Sequence, residues 1–131
     1  MRNNRVGQAN APKKQVVLVV EDEPLLRLMA IDLVEDAGFE AVEARDAAEA
    51  IHILEGRSDI RIVFTDIDMP GTMDGLKLAA AVRARCPPIK IIITSGHFRL
   101  EDGGIPAHTV FFPKPYDPAE ITSTMHWLAL D

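Results

Sequence analysis

Beyond residue 14 the chain alternates short, continuously apolar runs with stretches of helical periodicity. Five runs read as strands: residues 15–20, 40–44, 60–65, 90–94 and 109–112. The first contains VVLVV and the fourth III, the β-branched and Leu composition of strands buried on both faces. Between them lie segments whose apolar residues recur every three or four positions. Alternation of this kind predicts a parallel α/β sheet, and right-handed crossovers make it doubly wound, with five strands in the order 2-1-3-4-5.

The helix boundaries are marked by local chemistry. The first helix begins near Pro24, a good first-turn residue, and ends before Gly38, with Leu26, Met29, Leu33 and Ala37 at helical spacing. The second opens on Asp46 with Glu49 three positions later, burying Ala47, Ile51 and Leu54. The third spans residues 75–85, with Ala79, Val82 and Cys86 on one stripe, and stops at Pro87-Pro88. The last starts at Asp117 with Pro118 and Glu120 behind it, and turns Ile121, Met125 and Leu128 inward. Only residues 97–108 resist, because Gly103, Gly104 and Pro106 leave room for little more than one turn, a short or irregular helix at most.

Composition narrows the class of function. The 131 residues, 47% hydrophobic and 26% charged, suit one soluble domain. Arg2, Arg5, Lys13 and Lys14 give residues 1–14 a charge of +4, while the other 10 basic and 20 acidic residues leave the body at −10. An acidic body is a poor partner for nucleic acid. The first 14 residues read as a flexible basic tail, and residues 15–131 as the folded domain. The lone Cys86 permits no internal disulfide, and no apolar run reaches membrane-spanning length, so a cytoplasmic protein with no membrane partner is expected. Trp127 reads as helix packing, as do three of the four histidines as packing or surface residues.

Ligands of open α/β sheets bind at the carboxyl ends of the strands. Here those ends deliver Glu21-Asp22-Glu23, Asp66, Thr94-Ser95 and Lys114, from strands that are neighbours in the expected order. Clustered carboxylates repel unless a cation neutralises them, and Mg²⁺ favours oxygen ligands. A carboxylate, a hydroxyl and an ammonium beside such an ion form a site for a phosphoryl group. There is no GxGxxG after the first strand and no GxxxxGK[ST], which argues against a nucleotide site.

The segments VVLVVEDEP, IVFTDIDMPGTMDG, IIITSGH and FFPKPY, in that order over residues 15–131, resemble the receiver domains of two-component signalling, typified by the chemotaxis regulator CheY. The resemblance implies a flavodoxin-like fold and phosphorylation of Asp66. Asp22, Asp66, Glu21 and the backbone carbonyl of Asp68 would hold Mg²⁺, with Asp22 the more direct ligand of the acid pair. Ser95 would be the switch hydroxyl, with Thr94 the other register. Lys114 would pair with the phosphoryl oxygens, Phe111 would be the aromatic switch, and Asp68 and His97 would tune the lifetime of the phosphoryl group. Gly75 fits the turn after the acceptor, although Gly71-Thr72 lengthens that loop by about one residue relative to the family. A cis Lys114–Pro115 bond is also implied.

Such a chain would receive its phosphoryl group from a sensor histidine kinase or histidine phosphotransfer protein. Because it ends with the last helix, it would signal by binding a protein target or by relay, and it would catalyse only its own phosphorylation and dephosphorylation. Two alternatives compete. Asp66-Ile67-Asp68 matches the Asp-x-Asp opening of haloacid-dehalogenase-type phosphatases, although that motif usually sits on the first strand and the later acidic motif is missing. The other alternative is an interaction module of the same fold that is never phosphorylated.

Overall fold

The computed structural model describes residues 13–69, 71, 73–97 and 103–130. Its elements are β1 (Val16–Val20), α1 (Pro24–Asp36), β2 (Glu40–Ala44), α2 (Ala47–Gly56), β3 (Ile60–Asp66), α3 (Gly75–Arg85), β4 (Lys90–Ser95), β5 (Thr109–Pro113) and α4 (Pro118–Leu128). All strand pairs are parallel and the order is β2-β1-β3-β4-β5. This is the doubly wound sheet that the alternating pattern predicts. The basic tail falls mostly on residues 1–12, which lie outside the described residues.

Two apolar layers hold the sheet. Val16, Leu18, Val20, Val63, Ile91 and Ile93 pack toward α2 and α3 through Ala47, Ala50, Leu78, Ala79 and Val82. Val17, Val19, Ile62, Phe64 and Ile92 pack toward α1 and α4 through Ala30, Val34, Ile121, Met125 and Leu128. Every residue of β1 is buried, as a central strand covered on both faces requires. Pro113 is tolerated because β5 is an edge strand.

The helix starts follow from side-chain capping. Asp46 accepts from Glu49 N at 2.9 Å, while Glu49 accepts from Arg45 N at 2.6 Å. Asp74 accepts from Lys77 N and Asp117 from Ala119 N, each at 2.9 Å.

Three expectations need correction. On α1 the buried residues are Ala30 and Val34, while Leu26 and Met29 are 42% and 57% exposed. Leu25, Leu26, Leu28 and Met29 place apolar groups around most of one turn, so spacing alone could not select the inward face. On α2, Ala50 is buried with Ala47, while Ile51 and Leu54 pack at the margin of the core. Trp127 is 68% exposed and does not pack.

No helix forms over residues 103–108, and the rest of the weak helical segment, residues 98–102, lies outside the described residues. The close of this connection is tied to α3 by Arg83. Its guanidinium donates to the carbonyls of Ala107 at 3.0 Å, Ile89 at 3.1 Å and His108 at 3.3 Å, and to that of Pro87. One planar fork thus serves loop carbonyls from both ends of the connection between α3 and β5. Ile105 packs beneath it against the α2–α3 layer.

Gly75 sits where α3 meets the end of β3. Its N–H donates to Ile67 O at 3.0 Å. A Cβ here would lie 2.1 Å from Asp66 O and 2.7 Å from Ile67 Cα, both backbone atoms that cannot move aside cheaply. Gly75→Ala should therefore destabilise the domain by about 1–3 kcal/mol, the range for forced overpacking, and displace the Asp66 loop. Urea unfolding checks the first effect and amide shifts of residues 66–68 the second; an unchanged midpoint with unchanged shifts would contradict both.

Candidate functional site

The carboxyl ends of β1, β3, β4 and β5 meet at one edge. Glu21 and Asp22 follow β1, and Asp66 ends β3. One oxygen from each of these three carboxylates lies within 4.8 Å of the other two. Glu21 and Asp66 are buried, and Asp22 is half-exposed. Lys114, just past β5, places Nζ 3.2 Å from Asp66 Oδ2 and 3.9 Å from Glu21 Oε1. Its own N–H donates to Ser95 O at 2.8 Å, which ties the lysine to the end of β4. The Lys114–Pro115 bond is cis, as expected.

Backbone donors complete the acid corner. Glu23 N donates to Glu21 Oε2 at 3.1 Å, and Asp68 N to Asp66 Oδ1 at 3.2 Å. The remaining carboxylate oxygens, drawn from three hard anionic groups, match the donor set that Mg²⁺ takes. Burial pushes the Glu21 carboxyl from its ordinary 4.5 up to about 7, aided by the Asp66 charge and opposed by the Glu23 N–H and Lys114. Burial also raises Asp66, against the Asp68 N–H and the Lys114 ammonium.

A second cluster stands beside the first. Asp68 Oδ2 accepts from Ser95 Oγ at 2.8 Å and from Gly96 N at 3.3 Å, and lies 3.4 Å from His97 Nδ1. Ser95 Oγ in turn accepts from His97 N at 3.0 Å. Burial would raise Asp68, but the bonds from Ser95, His97 and Gly96 outweigh it and hold the carboxyl below its ordinary range. The two hydroxyl registers are separated by strand alternation: Ser95 meets Asp68, whereas Thr94 lines a cavity on the other side. Phe111 is half-buried against the α2–α3 layer.

That cavity, about 450 Å³, opens next to Asp66 and Lys114 between α1 and the residues that follow β5. Leu26, Met29, Ala30, Phe64 and Tyr116 give it apolar walls. Burial raises the Tyr116 phenol, against the Lys114 charge. Neither Tyr116 nor the bond between Asp68 and Ser95 was legible in the sequence, because no spacing pattern states which loop side chains will touch.

A family model described as the response regulator receiver domain matches residues 17–126. The chain belongs to this family. The receiver is 34% identical over 115 residues to the sensor kinase CckA of Brucella abortus, an alignment covering 83% of this chain but 12% of that protein. Among solved structures it resembles a response regulator receiver protein from Sinorhizobium medicae, with TM-score 0.80, 30% identity, and coverage of 88% and 94% of the two chains. The receiver domain of NtrX from Brucella abortus matches with TM-score 0.76 and 29% identity, covering 86% and 96%. The chain thus spans a small part of the curated relative and nearly all of the isolated receivers.

In the metal-free receiver, Glu21 should titrate near pH 7, visible as a carboxyl ¹³C shift. Its raised value means that its share of stability is present at low pH and is lost as pH climbs from 4.5 to about 7. Lys114→Ala removes an opposing positive charge and should raise the midpoint further, whereas Asp66→Asn should lower it. A Glu21 midpoint near 4.5 in metal-free protein would contradict the burial that the geometry implies.

Proposed function

We propose that residues 15–131 act as a Mg²⁺-dependent phosphoryl acceptor, with Asp66 the phosphorylated residue and residues 1–14 a flexible basic tail. The observation that carries this reading is the contact of Lys114 Nζ with Asp66 Oδ2 inside the three-carboxylate corner. The donor is a sensor histidine kinase or a histidine phosphotransfer protein. Output is binding of a protein target or onward relay, in the cytoplasm, without nucleic acid or membrane partners. Among the described residues no helix is long and apolar enough to cross a membrane.

An Asp66 carboxylate oxygen attacks phosphorus as the P–N bond of a phosphohistidine breaks, and the electron pair of that bond passes to the imidazole nitrogen. Lys114 follows the transferred group because its ammonium already lies on the acceptor, pairing with the phosphoryl oxygens as negative charge gathers there. Asp22, Asp66, the Asp68 carbonyl and, at the margin, Glu21 would hold Mg²⁺, which would supply charge neutralisation for the phosphoryl oxygens. The apolar mouth beside Asp66, rimmed by exposed Leu26 and Met29, suits a donor protein that brings its histidine in from the α1 side.

The switch begins at Ser95. In the resting state its hydroxyl is spent on Asp68; a phosphoryl group on Asp66 offers a more highly charged acceptor. Transfer of the hydroxyl would pull residues 95–97 across and let Phe111 turn further inward, biasing the surface formed by residues 103–112 and α4. Once released, the ionised Asp68 carboxylate can take a proton from water attacking the phosphoryl group, with His97 orienting that water. In the competing phosphatase reading Asp68 would serve as acid–base for substrate turnover, but here it is engaged by Ser95, Gly96 and His97, and the family match is to receivers.

Labelling by a histidine kinase or by acetyl phosphate with Mg²⁺ should give one phosphoryl group per chain, and Asp66→Asn should take none while remaining folded. Normal labelling of that variant would remove Asp66 from the mechanism. No labelling of the wild type with any donor would favour an unphosphorylated interaction module.

After donor removal, Asp68→Ala should lose its phosphoryl group about tenfold more slowly, well short of what a fully positioned base contributes. His97→Ala should shift the rate in the same direction by less. Identical decay in wild type and both variants would mean that neither side chain sets the lifetime.

A further inference from the structure

The acid corner is held from behind by a residue that touches no phosphoryl or metal position. Arg27 lies one turn into α1. Its Nη1 donates to the Glu21 carbonyl at 3.0 Å, and its Nε donates to Glu43 Oε1 at 2.9 Å. The Arg27 side chain is 15% exposed, whereas that of Glu43 on β2 is 59% exposed. On its other side Glu21 is fixed by its own N–H, which donates to Ala44 O at 3.1 Å. Both backbone polar groups of Glu21 are thereby anchored to β2, the amide directly and the carbonyl through the guanidinium.

We infer that Arg27 is a positioning residue for the Mg²⁺ ligands: with Glu43 it sets the plane of the Glu21–Asp22 peptide, and so the direction in which the Asp22 carboxylate leaves the chain. The inference rests on the proposal that this corner binds Mg²⁺. A peptide unit is planar, so fixing its oxygen also fixes where the following N and Cα lie. Mg²⁺ demands near-ideal octahedral geometry, and a ligand carried on a loop free to tilt meets that demand poorly. The partly exposed ion pair with Glu43 adds little stability by itself; what it supplies is a fixed position for the guanidinium.

The guanidinium has two effects of opposite sign. As a cation near a cation site it weakens Mg²⁺ binding through charge, and as a clamp it strengthens binding through geometry. Removal therefore separates them. A lysine keeps the charge but, as a compact point donor, does not span the Glu21 carbonyl and the Glu43 carboxylate as a planar fork does.

The test is titration of Mg²⁺ into the unphosphorylated full chain, followed by calorimetry and by the amide shifts of Asp22 and Asp66. Arg27→Gln and Arg27→Lys should both bind Mg²⁺ about tenfold more weakly, the lower end of what outer partners of metal ligands contribute. Glu43→Ala should also weaken binding, while Glu43→Gln, which matches it in charge but keeps an acceptor for Nε, should stay near wild type. Wild-type or tighter affinity in Arg27→Gln would show that the guanidinium acts only as a charge and would overturn the inference. Equal affinities in the two Glu43 variants would do the same, and they decide the matter alone if thermal unfolding shows that an Arg27 variant does not fold. A wild type without saturable Mg²⁺ binding would sink the proposed metal site itself, an outcome distinct from wild type and Arg27 variants that bind alike.

Discussion

Three carboxylates gathered within 4.8 Å of one another repel, and two of them are buried where water screens that repulsion poorly. The molecule accepts this because the same hydrophobic burial that forms the sheet carries the acids to its edge. Val16–Val20 and Ile91–Ile93 are buried on both faces of a parallel sheet, so their strands cannot slip without exposing several apolar groups. Register then dictates that Glu21, Asp66 and Thr94 emerge side by side, with Ser95 one position further along β4. One cation of the chain, Lys114, answers part of the repulsion, while burial, aided by the Asp66 charge, still pushes the Glu21 carboxyl up. A divalent ion is the natural complement of what remains.

In the proposed switch, function turns secondly on competition for one hydroxyl. Ser95 Oγ has a resting acceptor in Asp68, whose carboxylate is kept ionised by the hydrogen bonds it receives. A switch needs two arrangements of comparable free energy, and this bond supplies the first of them. The connection that would respond is not sealed by a helix over residues 103–108; it is tied to α3 by Arg83 and by Ile105 packed against the core. A few hydrogen bonds at the surface open more readily than a packed helix, which suits the rearrangement proposed for this segment.

Much of this was legible in the sequence because it depends on patterns with a fixed period. Buried parallel strands read as unbroken β-branched runs, and Asp46, Pro118 and Gly75 mark turns and caps by local chemistry. The strand-end acids and Lys114 followed from topology, since ligands collect where parallel strands end. What escaped was set by tertiary contact. The inward face of α1 was hidden because apolar residues surround its first turn, and Trp127 was assigned to packing on composition although its direction on α4 points it to solvent. The Asp68–Ser95 bond joins a loop residue to the end of β4 across 27 positions, and the Arg27 bridge joins α1 to β2 across 16 positions; no periodicity encodes either.

The proposed Mg²⁺ site makes the acid corner a destabilised arrangement when no divalent cation is bound. Thermal unfolding of the metal-free chain at pH 8, with and without millimolar Mg²⁺ at constant ionic strength, tests it most directly. Mg²⁺ binding to the folded state should raise Tm in wild type, and Asp22→Asn should abolish that rise. A Tm that does not respond to Mg²⁺, or one that rises equally in Asp22→Asn, would contradict the account.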